Sequence, residues 1–387
     1  MLSEFAEMLR RLRTARGMSV RELAAMAHVG KSHVHDLETG RRGPTMRVAR
    51  SLDQVLGAAG RLTAAMAAES EPTDAAEVEA VELARRVSAS DLGSETLDRL
   101  EQAADELAMA YAATPPDQLL VRVHRHLGYV ASLLDARKTL EQHRRLLVVG
   151  GWLALLRATV HVDLRQDPAA HAFLLTAEQF AGQAGHSEIA AWCLETRAWH
   201  VLTSGDFRTA VQLAQHAQAV APRGGSALVQ ATAQEGRAWA RLGDREQTRR
   251  TLDRVERMAD SRPAPDHPEH HFQYDPGKAR SYAATTLAWS GDPAAEGLAR
   301  EVIAELEVAG GRPRRVATAR LDLGLALVAA DRPDEAATVA AEAIASGRIA
   351  PSSWWRAREV VGRVRLSGVR EGRDLRDAYE TFRPAQS

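Results

Sequence analysis

Apolar residues recur at every third or fourth position along almost the whole chain, the spacing that lines one face of an α-helix. Near the amino end Phe5, Met8, Leu9 and Leu12 form such a stripe between Ser3 and Ala15, and Gly17 ends it. Ser19 is then a good N-cap with Glu22 three residues on, a capping-box pattern, and Leu23, Met26 and Ala27 share the next face. His28-Val29-Gly30 makes a turn. A third helix is predicted over residues 31–38, with Val34 and Leu37 inward and Lys31, Ser32, His33, His35 and Asp36 outward. Gly40 stops it, Arg41 and Arg42 follow, and Pro44-Thr45 opens a fourth helix carrying Val48, Leu52, Val55 and Leu56. These short helices make one small domain, residues 1–58.

Further on the same periodicity repeats as a unit. In AWHVLTSGDFRTAVQLAQHAQAVAP, residues 198–222, a helix meets a Gly205-Asp206 turn and a second helix follows, with Phe207, Ala210, Leu213, Ala214 and Ala217 inward. The plan recurs around Gly243-Asp244, Gly291-Asp292 and Asp331, with an earlier copy at Gln166-Asp167; successive turns lie 38 to 48 residues apart. Weaker pairs precede these between Val78 and Leu147, with Leu127, Val130, Leu133 and Leu134 in register, and the helix from Trp354-Trp355 onward reads as a C-terminal cap. No stretch alternates strictly with β-branched residues and turn pairs, so the chain is expected to be all-α. The most apolar run, Leu146 to Val162, is cut by Arg157 and falls short of the roughly 20 apolar residues that span a bilayer. A buried helix and no membrane association are expected.

Charge separates the two regions. Residues 1–50 carry ten Lys and Arg against five Asp and Glu, and the rest of the 387 residues is net acidic, which the overall charge of −1 conceals. A basic module on an acidic body is the electrostatic footprint of a nucleic-acid-binding protein. Between them residues 59–76 read as an acidic linker, part of a run in which Glu69, Glu71, Asp74, Glu77, Glu79 and Glu82 gather around Pro72. It is either a solvated connector kept extended by its charge or an arm that folds back over the basic helix. The single cysteine, Cys193, excludes an internal disulfide framework, fits a reducing cytoplasm and reads as a small core residue. No secretory signal is expected at Met1, which leads into a charged amphipathic helix.

Leu23-Ala24, Val29, Ser32, Val34, Leu37-Glu38, Gly40, Arg41-Arg42 and Pro44 stand at fixed offsets, and on them the first region resembles the Cro/C1-type (XRE-type) helix-turn-helix regulators. The resemblance implies a lambda-repressor-like fold that binds a double-stranded DNA operator as a homodimer. Lys31, Ser32 and Asp36 would then read bases, with His33, His35, Arg41, Arg42 and Arg21 as phosphate or flanking contacts. Val20 stands where the family has a phosphate-binding Gln, His28 where Gly is usual, and Gly30 where Ser often caps. The repeats, residues 77–387, resemble a tetratricopeptide-like (TPR-like) α-solenoid, with Ala210, Ala217, Gly236, Trp239 and Gly324 at its small and large positions. Repressor-type domains joined to such bodies resemble ligand-responsive regulators, particularly of actinobacteria.

A solenoid's concave face binds peptides, protein segments or small molecules. Trp199 is placed to face that groove, and the long insertion from Ser261 to Lys278 brings Phe272, Tyr274 and Lys278 to the mouth of a repeat; these four are the ligand-binding candidates. The insertion could equally be a disordered crossover. His267, His270 and His271 have no spaced Cys/His partners, so no metal is expected. Without a phosphate loop, nucleophile elbow or acidic metal motif, neither a catalytic residue nor a cofactor is expected, and the scattered carboxylates read as solvated faces. Two alternatives stay open: a regulator whose repeats only dimerise or recruit a partner, and an interaction scaffold with weak or lost DNA binding.

Overall fold

The computed structural model describes residues 3–70, 83, 90–263, 265–310 and 312–383, and among them every regular element is a helix. The chain divides into two compact units, Met1–Ala89 and Ser90–Ser387.

The first unit contains α1 (Glu4–Ala15), α2 (Val20–Met26), α3 (Lys31–Glu38), α4 (Met46–Leu56) and α5 (Arg61–Ser70). Side-chain caps start three of them: Ser3 accepts from the Ala6 amide, Ser19 and Glu22 form the reciprocal box, and Thr45 accepts from the Val48 amide. Each supplies about 1 kcal/mol by satisfying an amide that the helix leaves unpaired. Phe5, Leu9, Leu23, Val34, Leu37 and Leu52 are fully buried together, each adding about 1.5–3 kcal/mol of apolar burial. Met26 is an exception to the sequence pattern. It is 58% exposed, because the seven-residue α2 turns Leu23 and Ala24 inward and Ala27 closes the face from the cap position.

The domain also runs past residue 58, where the linker was expected to begin. Leu62 and Ala65 of α5 are buried in the same core, and the Asp53 carboxylate of α4 accepts from the amides of Leu62 and Thr63, both at 2.9 Å. An acidic residue at a helix start is favoured by the helix dipole, so α4 holds α5 by its cap. Residues 71–76 of the expected linker, and with them Glu71, Asp74, Glu77, Glu79 and Glu82 of the acidic run, lie outside the described residues.

The second unit begins with α6 (Ser94–Ala110) and α7 (Pro116–Leu134) and continues as antiparallel pairs: α8 (Leu140–Asp163) with α9 (Asp167–Ala184), α10 (Ser187–Thr203) with α11 (Phe207–Val220), α12 (Ser226–Leu242) with α13 (Arg245–Asp260), α14 (Pro276–Ser290) with α15 (Ala294–Ala309), and α16 (Pro313–Ala329) with α17 (Pro333–Ala345). A single 3-10 turn, Pro351–Ser353, leads into α18 (Trp354–Ser367) and α19 (Gly372–Phe382). The Gly-Asp signature merges a stop with a start. Gly205, Gly243 and Gly291 take left-handed φ of 92°, 78° and 69°, a conformation that costs glycine nothing. Asp206 and Asp244 then accept from the amides of Thr209 and Gln247, capping the next helix at 3.1 and 3.0 Å. In the other two pairs Arg165 (φ 58°) and Asp331 (φ 57°) occupy the strained position, and Pro168 and Pro333 start the following helix.

Small residues set the distance between helices. A Cβ on Gly236 of α12 would lie 2.8 Å from Thr251 Oγ1 of α13, so that pair packs backbone against side chain. Helix α8 is long and apolar enough to cross a membrane by length and composition, but 83% of its apolar window is buried within the body. Arg157, which interrupts that run, lies over the Phe173 ring at 4.0 Å.

Contacts far apart in sequence join the early and late pairs. The Asp163 carboxylate, at the end of α8, accepts from Tyr111 Oη at 2.8 Å and Ser352 Oγ at 2.9 Å and pairs with the Arg314 guanidinium. Arg314 also donates to the Tyr111 carbonyl at 3.0 Å.

Candidate functional site

The outward side of α3 forms the candidate interface of the first unit. Val34 and Leu37 anchor the helix in the core, which leaves Lys31, Ser32 and His35 exposed and His33 and Asp36 half-buried. Gly30 offers no side-chain cap, so the first-turn amides of α3 keep their donors for water or an anion. At the other end the amides of Arg41 and Arg42 both donate to the Asp36 carbonyl, at 2.9 and 3.3 Å, which fixes their exposed side chains beside the end of α3. Gly40 makes this reversal possible with φ 66°. Arg21 is exposed on α2, and His28 turns the chain between α2 and α3 with φ 55°. Val20 is partly buried against the core.

One ion pair orients this surface. Arg13 of α1 meets the buried Glu38 at the end of α3 at 2.6 Å and also donates to the Met18 carbonyl at 2.7 Å. The hydrogen bond from Arg13 to Glu38 holds the Arg13 pKa up and fixes α3 against α1. Pattern reading did not single out this pair, since the partners are 25 residues apart and look like two surface charges.

The body contains a cavity of about 190 Å³, walled by the first helices of successive pairs from α8 to α16, with α18 and the segment before α14. That is room for on the order of a dozen waters. Trp199 and Lys278 of the four expected ligand-binding residues line it. Phe272 and Tyr274 do not. Phe272 is 5% exposed, packed 4.9 Å from Trp152 and 5.3 Å from Trp192, and Tyr274 stacks on Tyr282 in a separate apolar cluster. Aromatic side chains in an ordered segment bury themselves when an apolar surface lies within reach. The long insertion is therefore structural, pinned to α6 by the His271 amide on the Ala108 carbonyl at 3.1 Å.

Lys278 is 4% exposed, and its ammonium donates to the carbonyls of His270 and His271, both at 2.8 Å, and of Gln273. Burial pushes its pKa well below the lysine range, and nearby Arg315 adds to that while Asp275 opposes it. All three of its donors are spent on the loop, so it serves as the loop's tie.

Several cavity residues were not singled out from the sequence. Arg237 (4% exposed) lies over the Tyr282 ring at 4.2 Å and donates to Gln234, while its Nε is buried without a partner. Arg356 (6% exposed) reaches Asp322 at 3.3 Å and likewise leaves Nε unpartnered. Arg315 leaves Nη1 buried and unpartnered. Two of the four lining carboxylates are already committed. Asp163 holds the contacts described above, and Asp322 accepts from Thr285, Trp289 and Arg356. Burial raises the Glu195 pKa, against a hydrogen bond from Gln230 that lowers it. The expectation that carboxylates lie on solvated faces fails here, because the chain brings its inner helix faces together around a polar interior. One sequence signal was available: Arg314 and Arg315 occupy the first turn of a helix, where the dipole disfavours cations.

Cys193 is fully buried and burial pushes its thiol pKa up, away from the reactive range. The histidines of the insertion point apart: His270 approaches Asp105 at 3.4 Å, His267 approaches Glu269 at 3.5 Å, and His271 packs on Tyr111 at 4.0 Å. Among the described residues no group of three or more His, Cys, Asp or Glu is arranged to hold a metal.

Residues 4–66 match the model of a family described as a helix-turn-helix domain. The span takes in α1 to α4 and residues 61–66 of α5, in agreement with the continuous core, and the first unit is such a domain on an all-α chain. No curated protein matches the sequence. Among solved structures the chain is similar to Bacillus thuringiensis PlcR in complex with the peptide PapR7 and DNA, at 12% identity and a TM-score of 0.28, over 67% of this chain and 95% of that one.

Proposed function

We propose that this protein is a DNA-binding transcriptional regulator of the Cro/C1 type, acting in the cytoplasm as a homodimer, with a TPR-like body that senses a small molecule or peptide. The observation that carries the reading is the polar outer face of α3, exposed on a helix-turn-helix domain that holds the opposite face of that helix through its apolar core and the Arg13–Glu38 pair. In this reading Lys31, Ser32 and Asp36 reach base edges in the major groove, where a lysine donates to guanine and a carboxylate accepts from cytosine. His33, His35, Arg41, Arg42 and Arg21 position the domain on phosphates. Dimerisation follows from site size, since one α3 reads few base pairs and two-fold pairing doubles them.

The test is fluorescence anisotropy of the full chain on duplexes selected from random DNA, across a salt series. Lys31→Ala is expected to cost about 1–3 kcal/mol and to relax sequence preference, and Arg41→Ala to lower the salt slope by about one unit. Unchanged affinity and slope in the double variant would remove α3 as the DNA-reading element.

A further inference from the structure

Five cationic side chains line the cavity of the body, Arg237, Lys278, Arg314, Arg315 and Arg356, against four carboxylates, Asp163, Glu195, Glu269 and Asp322, and burial raises the Glu195 pKa. Three guanidinium groups face the cavity with a buried nitrogen that has no partner, Arg237 Nε, Arg315 Nη1 and Arg356 Nε, and the Asp163 and Asp322 carboxylates are saturated by other donors. Folding removes these donors from water and gives nothing in return, which costs stability at each one. A guanidinium held at the wall of a recessed pocket with a buried N–H left unpaired is arranged for a carboxylate or phosphate oxygen. The start of α16 adds its own positive pole, since Arg315 lies in its first turn. Aromatic walls stand beside the charges: Tyr282 carries Arg237 on its face, and Trp199 and Trp192 line the same space.

We propose that this cavity binds a small organic anion, a carboxylate or phosphate on a planar apolar body, through Arg237, Arg315 and Arg356. The proposal rests on the reading of the body as a sensor and gives that sensor its ligand class. Arg315 is its most specific member. Arg314 beside it is neutralised by Asp163, whereas burial lowers the Arg315 pKa and the field of Asp275 only partly offsets that. Removing such a group from an empty cavity relieves a cost, so the chemistry predicts opposite signs for stability and binding in one variant.

The experiment uses the full chain without DNA, so that its outcome is independent of operator binding. Phenyl phosphate, phenylacetate and the neutral phenylacetamide are titrated while tryptophan fluorescence and the melting temperature are read. At least one anion is expected to bind saturably, and at ten times its Kd to multiply the folded-to-unfolded ratio about tenfold, with phenylacetamide giving no shift. The phosphate and carboxylate arms tell which headgroup the cavity prefers, and binding by either one supports the proposal.

Arg315→Met is expected to lose that shift while melting, without ligand, at or above the parent temperature. Arg237→Gln, which keeps a donor but removes the charge, is expected to weaken the same anion at least tenfold. The proposal is overturned if no anion binds, if phenylacetamide binds equally, or if both variants keep the parent response. It is equally overturned if Arg315→Met melts well below the parent or fails to fold, since the guanidinium would then be a structural element.

Discussion

The two units handle charge in opposite ways. In the helix-turn-helix unit the core is apolar, the buried carboxylate of Glu38 is matched by Arg13, and Arg21, Arg41 and Arg42 around α3 are exposed. In the body, arginines and carboxylates are drawn inside, where some are saturated and others keep buried donors without partners. A domain that works on its outer surface can satisfy every interior group. If the body binds an anion inside, as proposed, those donors stay unpaired until it arrives and the body's stability is lowered in the meantime.

The strongest way to break this contrast is Asp163→Ala, which strips the carboxylate shared by Tyr111, Ser352 and Arg314 and leaves the Arg314 guanidinium buried without it. About 3–5 kcal/mol of body stability should be lost in urea unfolding. All seven tryptophans lie between residues 152 and 355, so their fluorescence reports the body alone. A loss no larger than that of a surface carboxylate would mean that these contacts hold nothing together.

Next in size is Arg13→Ala in the first unit, expected to cost about 2 kcal/mol because Glu38 stays buried without its cation. Hydrogen exchange of the full chain should show faster exchange in α1 to α3 with the body unchanged. Uniform protection would place the unit's stability in its apolar core alone.

The smallest effect is in pH. Burial holds the pKa of His271 well below 6.5, with Lys278 and His270 adding to the shift. Above that value the ring is neutral in both states and nothing changes. As pH falls below about 6.5 the unfolded chain takes up a proton that the folded body refuses, so stability drops. Between pH 7.5 and 5.5 this amounts to about 1 kcal/mol, and His271→Gln should remove that part of the slope. An identical slope in the variant would assign the acid sensitivity to other groups.

Much of the fold was legible because its signals are local. The limits of α3, the Ser19–Glu22 box and the Gly-Asp turns each depend on residues within a few positions of one another. The exposed side chains of α3 followed from the positions of Val34 and Leu37. What escaped is what depends on which faces meet. An arginine reads as solvated until the opposing helix is known, so Arg237 and Arg356 carried no sign of burial in their own segments, and Arg315 only its place in the first turn of α16. Phe272 and Tyr274 were sought at a groove because the loop is long, and they are buried because that loop lies on apolar helices. The continuation into α5 was hidden for a related reason, since its cap is Asp53 in the preceding helix and not a residue at its own start.

A stack of helical pairs that touch only their neighbours frays from either end, and its middle can persist while its termini melt. The hydrogen bond from Ser352 to Asp163 spans 189 residues, so the late pairs cannot peel away while it holds. The same link delays assembly, because a loop of that length must close before the last contacts are rewarded. Such a body should therefore refold slowly for a helical protein and then unfold in one step.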